Sequence, residues 1–372
     1  MPPTATATPL PATGEHLPDP FGSEQLITCA DPATGLRAVI AVDSTALGPG
    51  LGGVRMRAYP SFWDGAFEAQ RLARAMTWKN ALAGLPYGGA KSVIIDDGDR
   101  SRRTERLVRF GELVARLGGA YLPGVDMGTT TADLALMASV GAPSTCASDD
   151  PSPWTALGVF HAVCAAAEHR LGSDGVTGVD VVVQGVGNVG AALARLLAEA
   201  GARVTVTDID ADRAARVARE VDGRAIPVDR ALSEPTDVLA PCAAARVVTR
   251  AAIPHLGCRI VAGGANDTLE DDGCADELEA AGILYVPDFV ANAGGVVHIH
   301  SLTAGWDDDR LHGALAGIGA RVTSILDDAR AAGTTPLAAA HAQARAIVTD
   351  ARTRPADHDD HDDHHHRRSS DR

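Results

Sequence analysis

The sequence predicts an α/β protein of two domains, on three observations. The 372 residues are enough for two sizeable cores, and 45% apolar with 22% charged residues is ordinary for a globular chain. After about residue 154, helical segments alternate with short β-branched runs, as in a doubly wound parallel sheet. A glycine-rich turn joins the first of these runs to the helix that follows it. We therefore expect a doubly wound second domain after a separate α/β first domain.

The two chain ends are expected to lie outside these domains. Residues 1–20 are rich in Pro, Thr and Ala without periodicity, and residues 351–372 form a polar His/Asp tail. The tail could bind a divalent metal, but no apolar residues nearby would hold the ligands in place, so we predict no metal site. Between the ends we predict a first domain over 21–148, a second over 149–324, and a helix over 325–350 that returns to the first.

Charge and cysteine usage argue against several classes of protein. A formal net charge of −15 and the lack of a basic patch disfavour nucleic acid as a partner. The chain shows neither a signal-peptide pattern nor an apolar run of membrane-spanning length, so we expect a cytoplasmic protein. The six cysteines lack C-x-x-C spacing, which favours free buried thiols over a zinc site or a disulfide framework.

The first domain is expected to open with a β-hairpin over residues 25–42. A glycine-rich segment over 48–53 follows, and apolar spacing then predicts a helix over 64–83. The run 92–95 reads as a buried strand, and a second helix over about 104–117 leads to a tight turn around Asp126.

Only two of the 33 Lys and Arg residues are lysines, and they stand twelve positions apart in the sequence. Lys79 is predicted in the last turns of the helix, and Lys91 at the mouth of the strand that follows. In a chain so biased toward arginine, lysine is expected where a guanidinium cannot substitute, because a desolvated lysine can lose its proton and arginine cannot. We interpret this segment as an active site, although two lysines on a solvated surface remain the simpler alternative.

The second domain carries a dinucleotide-binding pattern. A helix over about 154–171 precedes a strand over 179–184, and a helix over 191–200 and a strand over 203–208 follow the glycine turn. Further strands are predicted near 236–240, 258–262 and 283–286, and a helical region over 309–350. The turn glycines are Gly185, Gly187 and Gly190. They would allow the tight turn, the approach of the pyrophosphate and close helix packing.

The acidic residue of this pattern is Asp208, eighteen residues after the last turn glycine. Its carboxylate would accept hydrogen bonds from the adenosine ribose hydroxyls and repel a 2′-phosphate, so the predicted cofactor is NAD rather than NADP. The segment Thr207–Asp210 offers no nearby arginine to receive that phosphate.

Over residues 25–350 the chain resembles the superfamily of glutamate, leucine, phenylalanine and valine dehydrogenases, and most closely its leucine/phenylalanine/valine branch. The segments that carry the resemblance are Gly48–Arg55, Met76–Lys91, Asp126–Thr129, Val183–Gly190, Ala262–Asn266 and Pro287–Gly295. It implies a substrate domain and a Rossmann domain flanking a cleft, usually in a homo-oligomer. The implied reaction is reversible NAD-dependent oxidative deamination of an L-amino acid to a 2-oxo acid and ammonia.

The resemblance also implies residue roles. Lys79 would bind the substrate carboxylate, Lys91 would activate water for attack on the imine carbon, and Asp126 would exchange protons with the amino nitrogen. Further substrate contacts would come from Leu51, Gly52, Gly124, Asn266, Val296 and Ile299. Cofactor contacts would come from Thr155, Gly185, Gly187, Asn188, Val189, Gly190, Asp208 and Asn292.

Leu51 stands where the glutamate branch carries a lysine that pairs with the distal carboxylate of its substrate. An apolar amino acid, such as leucine, valine, isoleucine or phenylalanine, is therefore the expected substrate. Two departures from the family pattern are Ala90, in place of a glycine, and Met127, in place of valine. A side chain at Ala90 would displace Lys91 if that position required φ > 0.

Two other readings of the sequence remain open. A catalytically weakened homologue could bind NAD in a regulatory or assembly role, although both lysines and Asp126 are present. A 2-hydroxy-acid dehydrogenase would require a catalytic His with an Arg partner near the nucleotide fold, and no such signature stands out.

Overall fold

The protein contains two β-sheets, one in each half of the chain. The computed structural model describes residues 22–143, 145 and 150–353. The predicted N-terminal stretch, residues 354–372 of the predicted tail and Cys146 lie outside the described residues, whereas residues 351–353, assigned to the tail, belong to the last helix of the described chain. The α/β class is confirmed, with an N-terminal domain followed by a parallel-sheet, Rossmann-like domain.

The first sheet has five strands in the order β1-β2-β4-β3-β5. Their bounds are β1 Gln25–Asp31, β2 Leu36–Ser44, β3 Gly50–Arg57, β4 Gly88–Ile95 and β5 Tyr121–Val125. The predicted hairpin is confirmed as β1 and β2, which pair antiparallel. The glycine-rich segment continues into β3, a central strand that pairs parallel with both β4 and β5. Sequence analysis had not identified β3 or β5 as strands.

Helices cover both faces of the first sheet. Alternation along β2 directs Ala38, Ile40 and Val42 toward one face, and Val39 and Ala41 toward the other. Helix α1 (Phe62–Leu82) packs on the second of these faces, whereas α2 (Arg103–Ala115) and α3 (Thr131–Ala138) cover the first. A 3₁₀ turn, Arg100–Arg102, leads into α2.

The second sheet has six parallel strands in the order β11-β10-β9-β6-β7-β8. Their bounds are β6 Asp180–Gln184, β7 Arg203–Thr207, β8 Arg224–Ala225, β9 Val238–Pro241, β10 Ile260–Val261 and β11 Leu284–Tyr285. The helices around them are α4 Ser152–Leu171, α5 Asn188–Glu199, α6 Ala211–Glu220 and α7 Gly273–Ala280, with 3₁₀ turns at Val228–Arg230 and Ile253–His255. The strand order reverses between β6 and β9, where open α/β sheets bind ligands.

The described part of the chain ends in four helices: α8 Asp288–Ala291, α9 Gly294–Ala304, α10 Asp308–Ala332 and α11 Pro336–Thr353. Helix α10 packs on α4, and α11 packs on both α10 and α1. The helix that reaches the first domain is therefore α11, and residue 325, proposed as a domain limit, falls within α10.

Among the described residues, no helix combines the length and the apolar character that a membrane span requires. The cysteines of the described residues are free, and two of them, Cys164 and Cys242, are only partly buried.

Candidate active site

A cavity of about 1320 Å³ lies between the two domains. All the residues that the sequence assigned to catalysis or substrate binding line it. The glycine turn of the second domain does not contribute to its lining as far as the structure is described.

Lys91 lies inside strand β4, not at its mouth as the sequence analysis expected. The strand begins at Gly88 because this glycine-rich segment pairs with β3, a partner distant in sequence. Alternation along β4 puts Lys91 on the same face as Val93, the face that α1 covers. Lys91 is 6% exposed, so a lysine is held in a rigid, largely buried position.

Asp126 is held between two cations. The Lys91 ammonium donates to its Oδ2, and Arg55 donates to its Oδ1 from Nε and Nη2, at 3.2 and 3.1 Å. Arg55 also pairs with Glu68 of α1. A Cβ at Gly53 would lie 2.7 Å from the Cβ of Asp126, so the glycine lets this carboxylate approach β3.

Burial and charge act in opposite directions on this pair. Burial lowers the pKa of Lys91, although the neighbouring Asp126 opposes the shift. Burial tends to raise the pKa of Asp126, but the charges of Lys91 and Arg55 outweigh it, so this pKa stays below its ordinary value. A carboxylate that remains ionised thus lies against a lysine that releases its proton more readily than usual.

The departures from the family pattern leave this arrangement intact. Ala90 is not among the non-glycine residues with positive φ, so its backbone needs no glycine. Its methyl group is buried in the core between the sheet and α2. The condition under which Ala90 would displace Lys91, a positive φ, is therefore not met. Met127 donates its backbone N–H to Asp126, and its side chain is exposed.

Lys79 meets the second domain across the cavity. It lies near the end of α1, where the sequence analysis placed it, and its Nζ is 3.4 Å from Oδ1 of Asn266. Burial lowers the pKa of Lys79 to about 8, against the opposing charge of Asp288. Burial raises the pKa of Asp288. A cation on α1 and an amide on the second domain thus share one end of the cavity.

The rest of the cavity lining includes an apolar wall. It contains Leu51, Val296 and Ile299, and Gly124 leaves space beside Thr145. Leu51 is 3% exposed. The Thr145 hydroxyl donates to the carbonyl oxygen of Pro123 at 2.7 Å, so it is already satisfied. This wall suits an uncharged side chain.

The glycine turn matches a pyrophosphate cradle. Gly185 has φ of 90°, and a Cβ at Gly190 would overlap the carbonyl oxygen of Gly185. Gly187 is the N-cap of α5, and a Cβ there would meet nothing within 4 Å. The turn therefore has free space in front of the N-terminal N–H groups of α5, which suits an anionic phosphate. Within α5, Asn188 bonds Asp150 at 3.1 Å, and Val189 faces Gly264.

Asp208 is more engaged than the sequence indicated. Its Oδ2 accepts from Val186 N, and its Oδ1 accepts from Asp210 N and from Nη2 of Arg213, each at 2.9 Å. The expectation of no nearby arginine is wrong, because α6 begins at Ala211 and its first turn carries Arg213 back to the carboxylate. Burial works against ionisation, but the two backbone N–H donors and Arg213 keep the pKa of Asp208 below its ordinary value.

Asn292, a predicted cofactor contact, lies between helices α8 and α9 and not directly after a strand. Its Nδ2 donates to Asn266 Oδ1 at 2.9 Å, and its buried Oδ1 has no hydrogen-bond partner among the described residues. The Thr155 hydroxyl donates to the carbonyl oxygen of Pro151 at 3.1 Å and faces Gly295 in the first turn of α9. The unpartnered oxygen is an acceptor for an amide N–H group, such as that of a nicotinamide.

Sequence analysis missed several residues of the site. Arg55 entered the sequence analysis only as the last residue of the Gly48–Arg55 segment, and because β3 was not predicted as a strand, no local pattern marked Arg55 as a partner of Asp126. The roles of Arg71 and Asp267 gave no sequence signal, because their contact joins residues 196 positions apart. Asp208 and Arg213 are close in sequence, so this pair could have been found.

Comparison with known proteins gives matches over most of the chain. Residues 23–140 match the family model for the Glu/Leu/Phe/Val dehydrogenase dimerisation domain, and residues 148–212 and 205–352 match the model for glutamate/leucine/phenylalanine/valine dehydrogenases. The chain is 37% identical to a leucine dehydrogenase of Bacillus subtilis over 313 residues, 82% of this chain and 86% of that protein. It is 38% identical to a valine dehydrogenase of Streptomyces virginiae over 343 residues, 90% and 96% of the two chains.

Among solved structures, L-tryptophan dehydrogenase from Nostoc punctiforme is similar, with a TM-score of 0.81 and 32% identity. The match covers 89% of this chain and 97% of that one. The similarity thus extends over both domains and the cavity between them.

Proposed function

Because this chain belongs to the Glu/Leu/Phe/Val dehydrogenase family, and is therefore an amino-acid dehydrogenase, we propose that it oxidatively deaminates apolar L-amino acids with NAD. In the proposed reaction Cα loses a hydride, the amino nitrogen leaves as ammonia, and the oxygen of water becomes the oxo oxygen of the product. The Lys91–Asp126–Arg55 cluster at the floor of the cavity is the observation that carries the proposal.

Each cavity residue has a role that suits its surroundings. Lys79, which contacts Asn266 of the second domain, binds the substrate carboxylate as a cation. Asp126, which stays ionised, accepts a proton from the substrate ammonium. Lys91 then removes a proton from water as the water attacks the imine carbon, a step that requires the neutral amine, which burial favours by lowering the pKa of Lys91.

The glycine turn and its surroundings fit NAD. The pyrophosphate would lie at the N-terminus of α5, the ribose hydroxyls near Asp208, and the nicotinamide amide near Asn292 and Thr155. When bound, the nicotinamide supplies the hydride acceptor. Arg213 pairs with Asp208, and we propose that the buried carboxylate still favours NAD over NADP.

The proposed substrates are leucine, valine, isoleucine and phenylalanine. Leu51 offers no partner to a distal carboxylate, and burying an unpaired charge costs several kcal/mol. Among apolar substrates one methylene changes the specificity constant by only about 10- to 200-fold, so we propose a broad range. We also propose a cytoplasmic homo-oligomer, supported by the match to a family dimerisation domain.

The direct test is NADH formation from NAD and each of the twenty amino acids. We expect activity with the four apolar substrates and rejection of glutamate and aspartate. A preference for glutamate would refute the pocket assignment. Tight NADH binding without turnover of any amino acid would instead favour the weakened, NAD-binding homologue.

A further inference from the structure

The two domains are joined beside the cavity by a bidentate ion pair. Nη1 of Arg71 donates to Oδ1 of Asp267 at 2.8 Å, and Nη2 donates to Oδ2 at 2.9 Å. Arg71 belongs to α1 of the first domain, and Asp267 follows β10 in the second. Each side chain is 28% exposed, so water screens the pair only in part. Such a fork-to-carboxylate contact fixes orientation as well as distance.

The pair lies next to the proposed carboxylate site. Lys79 follows Arg71 by eight residues on α1, about 12 Å along the helix axis. These two cations contact consecutive residues of one loop, Lys79 with Asn266 and Arg71 with Asp267. Asn266 in turn accepts from Asn292, beside the expected nicotinamide position. Two attachment points on one helix restrict both the separation and the rotation of this loop.

The loop is held in an uncommon conformation. Asp267 has φ of 54°, in the left-handed region that non-glycine residues other than Asn and Asp rarely adopt. The carbonyl oxygen of Asp267 accepts from the N–H of Arg246, which also has positive φ, 55°. The surrounding contacts therefore select one position for the side chain of Asp267, the position that meets Arg71.

We propose that Arg71 and Asp267 are positioning residues that hold Asn266 against Lys79 and so set where the substrate carboxylate lies relative to the cofactor. The proposal rests on the proposed function, because it takes Lys79 as the carboxylate-binding cation. Neither residue needs to touch the substrate. Their loss should weaken amino-acid binding more than NAD binding, because Arg71 and Asp267 line the cavity whereas the glycine turn does not.

The test uses Asp267→Asn, Arg71→Lys and the double variant in the full-length protein. Asparagine adopts the left-handed region as readily as aspartate, so Asp267→Asn should fold and remove only the charge. Arg71→Lys keeps the charge but loses the fork. The matched control is Asp180→Asn, which disrupts the bidentate Arg203–Asp180 pair (2.7 Å for both bonds) within the second domain, away from the cavity.

In steady-state kinetics we expect Asp267→Asn and Arg71→Lys each to raise KM for the amino acid. The resulting fall in kcat/KM should be about 10- to 100-fold, the effect expected when a bound substrate is displaced by about 1 Å. KM for NAD and the control variant should be nearly unchanged. The double variant should be no worse than the worse single variant, because both remove one interaction. An unchanged KM for the amino acid in both single variants would overturn the proposal. A general loss, in which NAD binding and thermal stability fall as much as amino-acid binding does, would overturn it as well.

A second readout does not depend on activity. Hydrogen exchange of residues 262–270 should lose protection in Arg71→Lys, although the substitution lies in the other domain. The control should show no such loss. If the wild-type protein oxidised no amino acid, the proposed function would fail while this readout still tested the contact. Unchanged exchange would show that Arg71 does not hold the loop, whatever the activity.

Discussion

Gly124→Ala should narrow the substrate pocket without disturbing the fold. A Cβ at this position would lie 3.7 Å from Oγ1 of Thr145 and 3.9 Å from Cα of Gly53, both ordinary contacts. Gly124 is not among the glycines with positive φ, so alanine is compatible with its backbone. Such a substitution stabilises a protein by about 0.4–1 kcal/mol through the unfolded state. The melting temperature should therefore stay equal or rise slightly.

The added methyl group takes space from the substrate side chain. A mismatch of this size is worth about 1–3 kcal/mol, so kcat/KM for phenylalanine should fall by about 10- to 200-fold relative to valine. The assay compares kcat/KM for phenylalanine, leucine and valine in wild type, Gly124→Ala and Gly313→Ala. Gly313 lies on α10 with nothing near its Cβ position, so it controls for a generic alanine effect. An unchanged phenylalanine-to-valine ratio, or an equal loss for all three substrates, would refute the pocket geometry.

Three further predictions concern charged groups. If Lys79 has its proposed role, it binds the substrate carboxylate only when protonated. Its pKa is lowered to about 8, so kcat/KM should fall as pH rises above about 8. Lys79→Arg should abolish that decline, and persistence of the decline in the variant would contradict the role. Leu51→Lys should raise the glutamate-to-leucine ratio of kcat/KM at least about tenfold by pairing the distal carboxylate, and an unchanged ratio would count against the pocket. Wild-type rates should be higher with NAD than with NADP, and Arg213→Ala should reduce the NADP rate more than the NAD rate. Equal or better rates with NADP would contradict the role of Asp208.

Elements with a clear local pattern could be predicted from the sequence. The hairpin, α1 and the β6–α5–β7 unit carry alternation, helical spacing or turn glycines within a few residues. Strand β3 was missed because three of its eight residues are glycines, which have low strand propensity. Its place between β4 and β5 comes from pairing with strands distant in the chain. The same pairing extends β4 toward Gly88 and takes Lys91 into the sheet.

The residues of the candidate site could be identified from motifs, but their partners could not. Lys79, Lys91 and Asp126 lie in motifs that predict chemistry. The contact of Arg55 with Asp126 joins residues 71 positions apart, and no local rule predicts such a contact. The bidentate contact of Arg71 with Asp267 likewise joins residues far apart in the sequence. Tertiary packing thus determines the charge environment that adjusts each pKa.

The central claim is that Lys91 acts as a base in its neutral form inside the cavity. Lys91→Arg tests it most directly, because the variant keeps a positive charge beside Asp126 but stays protonated at neutral pH and so cannot accept a proton from water. With saturating amino acid and NAD, turnover should fall at least ~10²-fold, the scale of general acid–base catalysis, while NADH binding measured by fluorescence stays close to that of the wild type. Near-normal turnover in Lys91→Arg would contradict the account.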